Sequence, residues 1–600
     1  MPLNHQQKNT IKKNRKVLTL SELSQRLGVS KEEIRKYIEK KWGKESFAIK
    51  ENSNTKDFKS SLRDFLKTNS LSLVMLACLV FVVYFNSLDN AFLSDDLPEI
   101  VNNPKVGDLW YGISSHPFGF IRLIFYWLAY QVAGLNQIAF RLMNVFLHLG
   151  SVFLVFAIIL RLHTKKIALF SSVIFAVHPV LTEGVSWISG GMYAQYTFFF
   201  LLSFLFYIYK ERRNKFYFIS VLFYLLSFMS HPVMPASLLL VFPLYELVFG
   251  NLRKNWIKAI PFAIIVVIYV LVNFAALPER ESTLQSVHYQ EKGVDNVFVL
   301  VPIAVTSYIN LIFWPNDLTL YHSELGYDLT KFLIITAEFI LFLSLISAAY
   351  FKKKHIFFWL AFFFISLLPT LTPFRLNWIV AERYVYLGSM GIFVSVALFL
   401  SPLLKKEKYK PLFYIILILL ILPLSVRTIV RNIDWHNEDN LWIATGKTSP
   451  SSPNTHNNLG DVYGRQGDKQ KALEEFQKAI ELKPNYADAY HNLGNTYHEL
   501  NQDDKALESY LKALEYNPRL WQSHQNIAAI YYEQRNYQKA LEEFQKALSI
   551  DTKNINLMSN LGVIYLTLGD KENAKKVFSL VLQADPTNQF ANQGLVEASK

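Results

Sequence analysis

The sequence predicts an all-α protein, a polytopic transmembrane helical domain followed by an α-solenoid. Three observations carry that prediction. Residues 70–427 hold a series of apolar segments, each close to the ~20 residues that span ~30 Å of hydrocarbon. Residues 445–600 are polar and repeat with a period of 34 residues. Of the 600 residues 51% are hydrophobic, with 47 Phe and 32 Tyr, an aromatic content unusual for a soluble chain.

A basic tail comes first. Residues 1–69 carry 17 Lys/Arg against 8 Asp/Glu, a net of +9, whereas residues 445–600 carry 17 against 19, a net of −2. Basicity confined to a tail and short loops is a membrane-orientation signature more than a nucleic-acid one. Within the tail, "LTLSELSQRLGVSKEEIRKYIEK" pairs Thr19 with Glu22 and Ser30 with Glu33 as capping boxes, with Gly28 in the turn between them. That outline fits a helix-turn-helix. A DNA-binding element and a small cytoplasmic hairpin that fixes orientation both remain open; the hairpin is favoured, and nucleic acid is not an expected partner. The only cysteine, Cys78, lies in an apolar run, so the sequence offers no disulfide framework and no thiolate metal site.

The first apolar run, "SLSLVMLACLVFVVYF", begins near residue 70, too late for a cleavable signal peptide, and reads as a signal anchor. The loops "HTKK" at 163, "KERRNK" at 210, "NLRKNWIK" at 251, "KKKH" at 352 and "KKEKYK" at 405 are short and basic, which assigns them to the cytoplasm. Parity then puts residues 86–138 outside. It lays "GFIRLIFYWLAYQVAG" at 119–134 along the outer surface and makes residues 295–314 re-entrant or interfacial. The expectation is about eleven spans in the cell membrane, with the N-terminus cytoplasmic and the repeats outside.

The repeats are specified position by position. Gly460, Gly494, Ala528 and Gly562 share the period with Tyr463, Tyr497, Tyr531 and Tyr565. Ala472, Ala506, Ala540 and Ala574 follow it, as do Phe476, Tyr510, Phe544 and Phe578, and prolines at 450, 484, 518 and 586. Small residues where two helices cross, aromatics filling the gaps and Pro ending the second helix are the tetratricopeptide pattern, in four copies over about 453–588. Asn458, Asn492, Asn526 and Asn560 keep the same register on the first helix of each repeat. A column of amides, each with a donor and an acceptor in one plane, suits an extended polypeptide in the groove. The alternative is that these amides only bond neighbouring repeats.

The stretch "AFLSDDLPEIVNNPKV", residues 91–106, sets Asp95 and Asp96 side by side at the outer rim. One of them can act as a base, because adjacent like charges raise a carboxyl pKa. One can instead cap the "LPEIV" turn, or the two can share a metal ion. Arg122 on the surface helix and Arg383 at the start of a late span are placed to meet a phosphate or to snorkel. His178 and Glu183 fall near the outer end of the span beginning at 167. Arg141, Asn144 and His148 lie on one helical face, where bonding neighbouring helices is favoured over lining a pocket.

Four motifs in order resemble the multi-spanning glycosyltransferases of the GT-C class, in the protein O-mannosyltransferase-like branch with C-terminal tetratricopeptide repeats. They are "FLSDDLPEIVNNPKV", "FRLMNVFLHL", "HPVLTEGVSWISG" at 178–190 and "AERYVYLGSMG" at 381–391. The resemblance implies transfer of a sugar, mannose among the candidates, from a polyprenyl-phosphate carrier to a protein Ser/Thr acceptor at the outer face. It implies Asp95 and Asp96 as catalytic residues. Arg122, His178, Glu183, Glu382, Arg383 and Tyr384 become the residues for the donor and its phosphate. The implied partners are the membrane lipid carrier and a polypeptide in the repeat groove; the lipid-linked sugar is the donor, no metal site is assigned, and a divalent ion stays open. Gly191-Met192 stands where relatives often have a basic residue, and His231 in "SHPVMP" where they often have Lys. The alternative function is a non-catalytic, membrane-anchored scaffold.

Overall fold

A run of Leu, Phe, Ile and Val in hydrocarbon must satisfy every backbone hydrogen bond within itself, and a helix does so. The structure, a computed structural model, describes residues 5–14, 23–24, 27–42, 58–115, 119–210, 214–275, 296–320, 322–323, 328–371, 379–405 and 407–600. Every regular element among them is helical. Six helices are long and apolar enough to cross a membrane: Leu62–Ser87, Gln137–Leu162, Ser189–Ile208, Leu252–Val272, Leu329–Lys352 and Glu407–Asp434. Lys165–Val177 and Pro179–Ser186 form a pair bent by 56°, which adds a seventh if it is one broken span. With Phe120–Ala133 and Val297–Phe313 set aside as parity requires, a total of eleven needs the shorter helices Asn214–Ser230, Met234–Val248, Lys354–Thr370 and Ser389–Lys405 to cross as well. Leu333, Ile334, Ile340 and Leu341 on one long helix are more than half exposed, as a lipid-facing surface would be.

The chain divides into two compact units, residues 1–75 with 204–220, and residues 76–203 with 221–600. In the first, Ile11, Leu23, Ile34 and Ile38 form a small buried cluster. Gly28 takes φ +62°, and the Glu33 amide donates to Ser30 Oγ at 3.3 Å, so the second capping box forms. The first box, Thr19 with Glu22, lies outside the described residues.

In the second unit the helix Gln137–Leu162 runs for 26 residues, about 39 Å at 1.5 Å per residue, and so joins two distinct ends. At its C-terminal end the basic loops at 163, 251 and 352 converge. There the His355 ring lies 5.3 Å from that of His163 and 4.9 Å from that of Phe249, while Trp359 Nε1 donates to His163 Nε2 at 2.9 Å. At its N-terminal end the loop that bears Asp95 and Asp96 meets the bend at 178–191 and the start of the repeats.

The repeats form four helix pairs, Pro453–Arg465 with Lys469–Leu482, Ala487–Glu499 with Asp503–Tyr516, Trp521–Glu533 with Tyr537–Ile550, and Ile555–Thr567 with Lys571–Ala584. A ninth helix, Gln589–Ser599, closes the last pair by covering Phe578 and Val581. The small residues at the crossings are explained by distance: a Cβ at Gly460, Gly494 or Gly562 would fall 2.6–2.7 Å from the ring of Phe476, Tyr510 or Phe578. The solenoid is seated on the other helices through a buried cluster of Leu93, Trp187, Trp435, Leu441, Leu459 and Val462. Thr319 Oγ1 and Ser449 Oγ, 2.8 Å apart, add a polar tie. The repeats therefore begin on the face that carries the paired aspartates.

Candidate functional site

The loop after the first long helix turns sharply at Ser94, whose φ is +49°, and then makes the short turn Leu97–Val101. The two adjacent carboxylates separate completely in environment. Asp96 is buried: its Oδ1 accepts from the Ser189 amide at 2.8 Å and from Ser189 Oγ at 2.5 Å, and its Oδ2 accepts from the Leu93 amide at 3.1 Å. Asp95 is exposed. Burial lifts the Asp96 carboxyl to about 6, against the opposing pull of the Ser189 and Leu93 hydrogen bonds. Desolvation is thus the leading cause of the perturbation, where the sequence pointed to like-charge repulsion. The Asp96 side chain does not cap the following turn.

Arg141 fixes this loop from below. Its fully buried guanidinium donates to the carbonyls of Ser186 at 2.7 Å, Leu88 at 3.1 Å, Asn90 at 2.6 Å and Ala91 at 3.0 Å. One turn on, Asn144 Nδ2 donates to the carbonyls of Trp187 at 3.1 Å and Ile188 at 3.2 Å. A Cβ on Gly191 would fall 2.0 Å from Asn144 Oδ1, so the bend can approach the helix only with glycine there. His148 Nδ1 lies 2.6 Å from the Tyr386 hydroxyl. The three polar residues on this helical face thus bond neighbouring elements, and two of them bond the segment that presents Ser189 to Asp96.

The other sequence-selected residues sort by partner. Glu183, buried, forms an ion pair with Arg383 and accepts from the Arg383 amide at 2.8 Å. The Arg383 guanidinium lies 5.8 Å from the Trp187 ring centroid and 5.2 Å from that of Tyr384, within cation–π range of two aromatics. Glu382 pairs instead with Arg431 at 3.0 Å, both completely buried, and Arg431 also reaches Asp434 at 3.0 Å. Trp187 stacks on Trp435 with ring centroids 5.8 Å apart. His178 faces backbone: Nδ1 accepts from the Val180 amide at 3.2 Å and Nε2 donates to the Ile312 carbonyl at 2.9 Å. Both ring nitrogens are engaged, and an anion would have to displace one of those bonds.

Arg122, on the helix Phe120–Ala133, pairs with Glu99 at 3.0 Å. Burial raises the Glu99 carboxyl against the attraction of Arg122. Next to this pair opens a cleft of about 320 Å³, with Asn102, Lys105, Tyr111 and Tyr126 among its lining residues. The Tyr126 hydroxyl donates to Ser189 Oγ at 3.4 Å, which ties the cleft floor to Asp96. Sequence reasoning missed Glu99, Tyr126, Ser189 and Arg431. Glu99 stood three residues from Asp96 in the quoted loop, and that nearness was its signal.

In the repeats, the four selected asparagines are half-buried. Asn492 Nδ2 donates to Asn457 at 3.1 Å and Asn526 Nδ2 to Asn495 at 2.7 Å, each across to the preceding repeat, while Asn458 bonds the Asn454 carbonyl at 2.8 Å. Among the described residues one group of His and carboxylate side chains lies close enough to share an ion, namely His498, Asp503 and Glu533, in the repeats and away from the paired aspartates.

Models of the tetratricopeptide repeat match residues 487–520 and 555–588, and a TPR repeat model matches 465–501 and 528–569. The C-terminal helix pairs are tetratricopeptide repeats. Protein O-mannosyl-transferase F38B6.6 of Caenorhabditis elegans is 25% identical over 446 residues, covering 69% of this chain and 63% of its own. Protein O-mannosyl-transferase TMTC3 of Homo sapiens is 23% identical over 480 residues, covering 70% and 52%. This chain is similar to the curated protein O-mannosyl-transferases. The four motifs point to the same group. The chain spans between about half and two thirds of the length of these relatives. Among solved structures, the crystal structure of MamA protein covers 24% of this chain and 79% of its own, at 23% identity and a TM-score of 0.22.

Proposed function

We propose that this protein is a membrane glycosyltransferase that moves a sugar, mannose by the similarity, from a polyprenyl-phosphate carrier to Ser or Thr hydroxyls of polypeptides at the outer face. The observation that carries the reading is the division of labour between adjacent aspartates. Asp96 is locked by Ser189 and Leu93, so Asp95 is presented at the surface of a rigid loop beside the first repeat.

In the proposed step the acceptor oxygen attacks the anomeric carbon, and the bond from that carbon to the carrier phosphate breaks. The acceptor proton passes to the Asp95 carboxylate, and the polyprenyl phosphate leaves with the bonding electron pair. Arg383 is the favoured cation for the departing phosphate, because Glu183 and the Trp187 and Tyr384 rings hold it in one orientation. Glu183 and Tyr384 then position that cation, while Glu382 with Arg431 braces the same segment. No resident cofactor is part of the proposal. The groove lined by Asn458, Asn492, Asn526 and Asn560 delivers extended acceptor segments.

Mass spectrometry of envelope proteins from cells carrying the wild-type chain or Asp95→Asn tests the reading. Hexose on Ser/Thr is expected only with the wild type; hexose with both would remove Asp95 from the step, and hexose with neither would overturn the function. Reporter fusions at Lys405 and Lys600 should mark opposite sides of the membrane; a shared side would put the chemistry in the other compartment.

A further inference from the structure

We infer that the cleft beside Glu99 receives the hexose ring of the donor, with the free Glu99 oxygen accepting from its hydroxyl groups. The inference rests on the transferase reading above and assigns the part of the substrate that the reading leaves without a partner.

Glu99 uses one carboxylate oxygen, Oε1, on Arg122 at 3.0 Å. The other, Oε2, is shielded from solvent and has no hydrogen-bond partner. A buried carboxylate oxygen left unpaired is costly unless a ligand or an ordered water meets it. Glu99 lines a cleft with Asn102, Lys105, Arg122, Tyr111 and Tyr126. The wall is braced locally: Asn103 Nδ2 donates to the Glu99 carbonyl at 3.1 Å, and the Lys105 amide donates to Asn103 Oδ1 at 3.0 Å. Lys105 Nζ sits 4.4 Å over the Tyr111 ring, which holds that aromatic as a side wall. A carboxylate oxygen to accept, a guanidinium and an ammonium to donate, and aromatic faces for C–H surfaces are what a pyranose ring presents matching groups for. The volume, about 320 Å³, is at the lower end of ligand sites, so it fits one sugar and not a folded partner. The position also fits the chemistry. Tyr126 links the cleft floor through Ser189 to Asp96. The Glu99 amide donates to the Asp95 carbonyl at 3.1 Å, so the proposed base sits one turn before Glu99.

The test uses the full chain in detergent micelles and two probes, polyprenyl-phosphate mannose and polyprenyl phosphate without sugar. Wild type should bind the sugar-bearing lipid more tightly than the bare one. Glu99→Gln should weaken binding of the mannosyl lipid by about 10- to 100-fold, the size of a lost bond to a charged group, and leave bare-lipid binding unchanged. Tyr111→Ala, which removes a side wall and keeps the Glu99–Arg122 pair, should also lose the preference and serves if Glu99→Gln fails to fold. If a folded Glu99→Gln, or Tyr111→Ala in its place, keeps the wild-type preference, the assignment is overturned and the transferase reading stands. If wild type binds both lipids equally, the cleft does not read the sugar. If wild type binds neither, the transferase reading itself falls and the assignment with it.

Discussion

The repeats and the aspartate loop are built on opposite plans. In the repeats, polar contacts are short in sequence: His524 to Glu543 spans 19 residues, Asn526 to Asn495 spans 31 and Asn492 to Asn457 spans 35. Around the loop they are long: Asp96 to Ser189 spans 93 residues, Glu183 to Arg383 spans 200 and Asn86 to Asn432 spans 346. The repeats also place many of their ion pairs on the surface at i,i+3 spacing, as Lys512 with Glu515 and Lys575 with Glu572, where each contributes little. Around the loop Asp96, Glu183, Glu382 and Arg431 are buried, and each burial needs a specific partner. Damage should therefore be graded in the repeats and abrupt at the loop.

The largest effect expected is on chemistry without stability. Asp95→Asn should lower transfer by about 10²–10⁴-fold, as loss of a positioned base does, with the melting temperature unchanged. A drop in melting would mean that Asp95, like its neighbour, is structural, and would erase the contrast between the two aspartates.

Asp96→Ala should do the reverse. It strands three buried donors, the Ser189 amide, the Ser189 hydroxyl and the Leu93 amide. Each unmet donor costs about 1–3 kcal/mol, so thermal unfolding of the purified chain should show a large loss. A pH series sharpens the point. The folded Asp96 carboxyl, at about 6, lies above the ordinary carboxylate value, so its contribution to stability is present in full below that ordinary value and is lost as pH rises through about 6. The stability of wild type relative to the non-titrating Asp96→Asn should accordingly fall by about 2–3 kcal/mol between pH of about 4 and about 7. A constant gap would show that Asp96 is not desolvated.

In the repeats, Gly494→Ala should cost about 1–3 kcal/mol by forcing a methyl group to within 2.7 Å of the Tyr510 ring. Donor-lipid binding should stay at the wild-type level. Loss of both would show that the repeats and the loop fold as one cooperative body. The smallest effect belongs to the asparagine column. Asn492→Ala with Asn526→Ala should weaken binding of an unfolded polypeptide to the full chain by about tenfold, measured by fluorescence anisotropy. A lowered melting temperature with unchanged binding would assign these amides wholly to the contacts with Asn457 and Asn495.

How much of this was readable in advance follows from the same contrast. The helix pairs at 453–584 and the tetratricopeptide register could be read directly, since Gly, Tyr, Ala, Phe and Pro recur at fixed spacing and each contact repeats in four copies. The apolar runs announced the membrane helices, because a hydrocarbon-facing helix must be apolar along its own length. The quoted loop singled out Asp95 and Asp96, and helical spacing put Arg141, Asn144 and His148 on one face, where the favoured reading, bonds to neighbouring elements, is what the structure has.

What the sequence could not rank was which residues meet. Adjacent in the chain, Asp95 and Asp96 looked interchangeable; a turn at Ser94 buries one against Ser189 and exposes the other. Glu183, Glu382, Arg383 and Arg431 are four charges in three distant segments, and only packing pairs them as Glu183 with Arg383 and Glu382 with Arg431. His178, expected to meet the donor, has both ring nitrogens on backbone groups, one of them the Ile312 carbonyl 134 residues away, a pairing that no local pattern announces. Composition and periodicity determine which segments become helices, because those forces act within a few residues. The pairing of buried polar groups is decided by long-range geometry, where the cost of a missing partner selects one arrangement among many that the sequence equally allows.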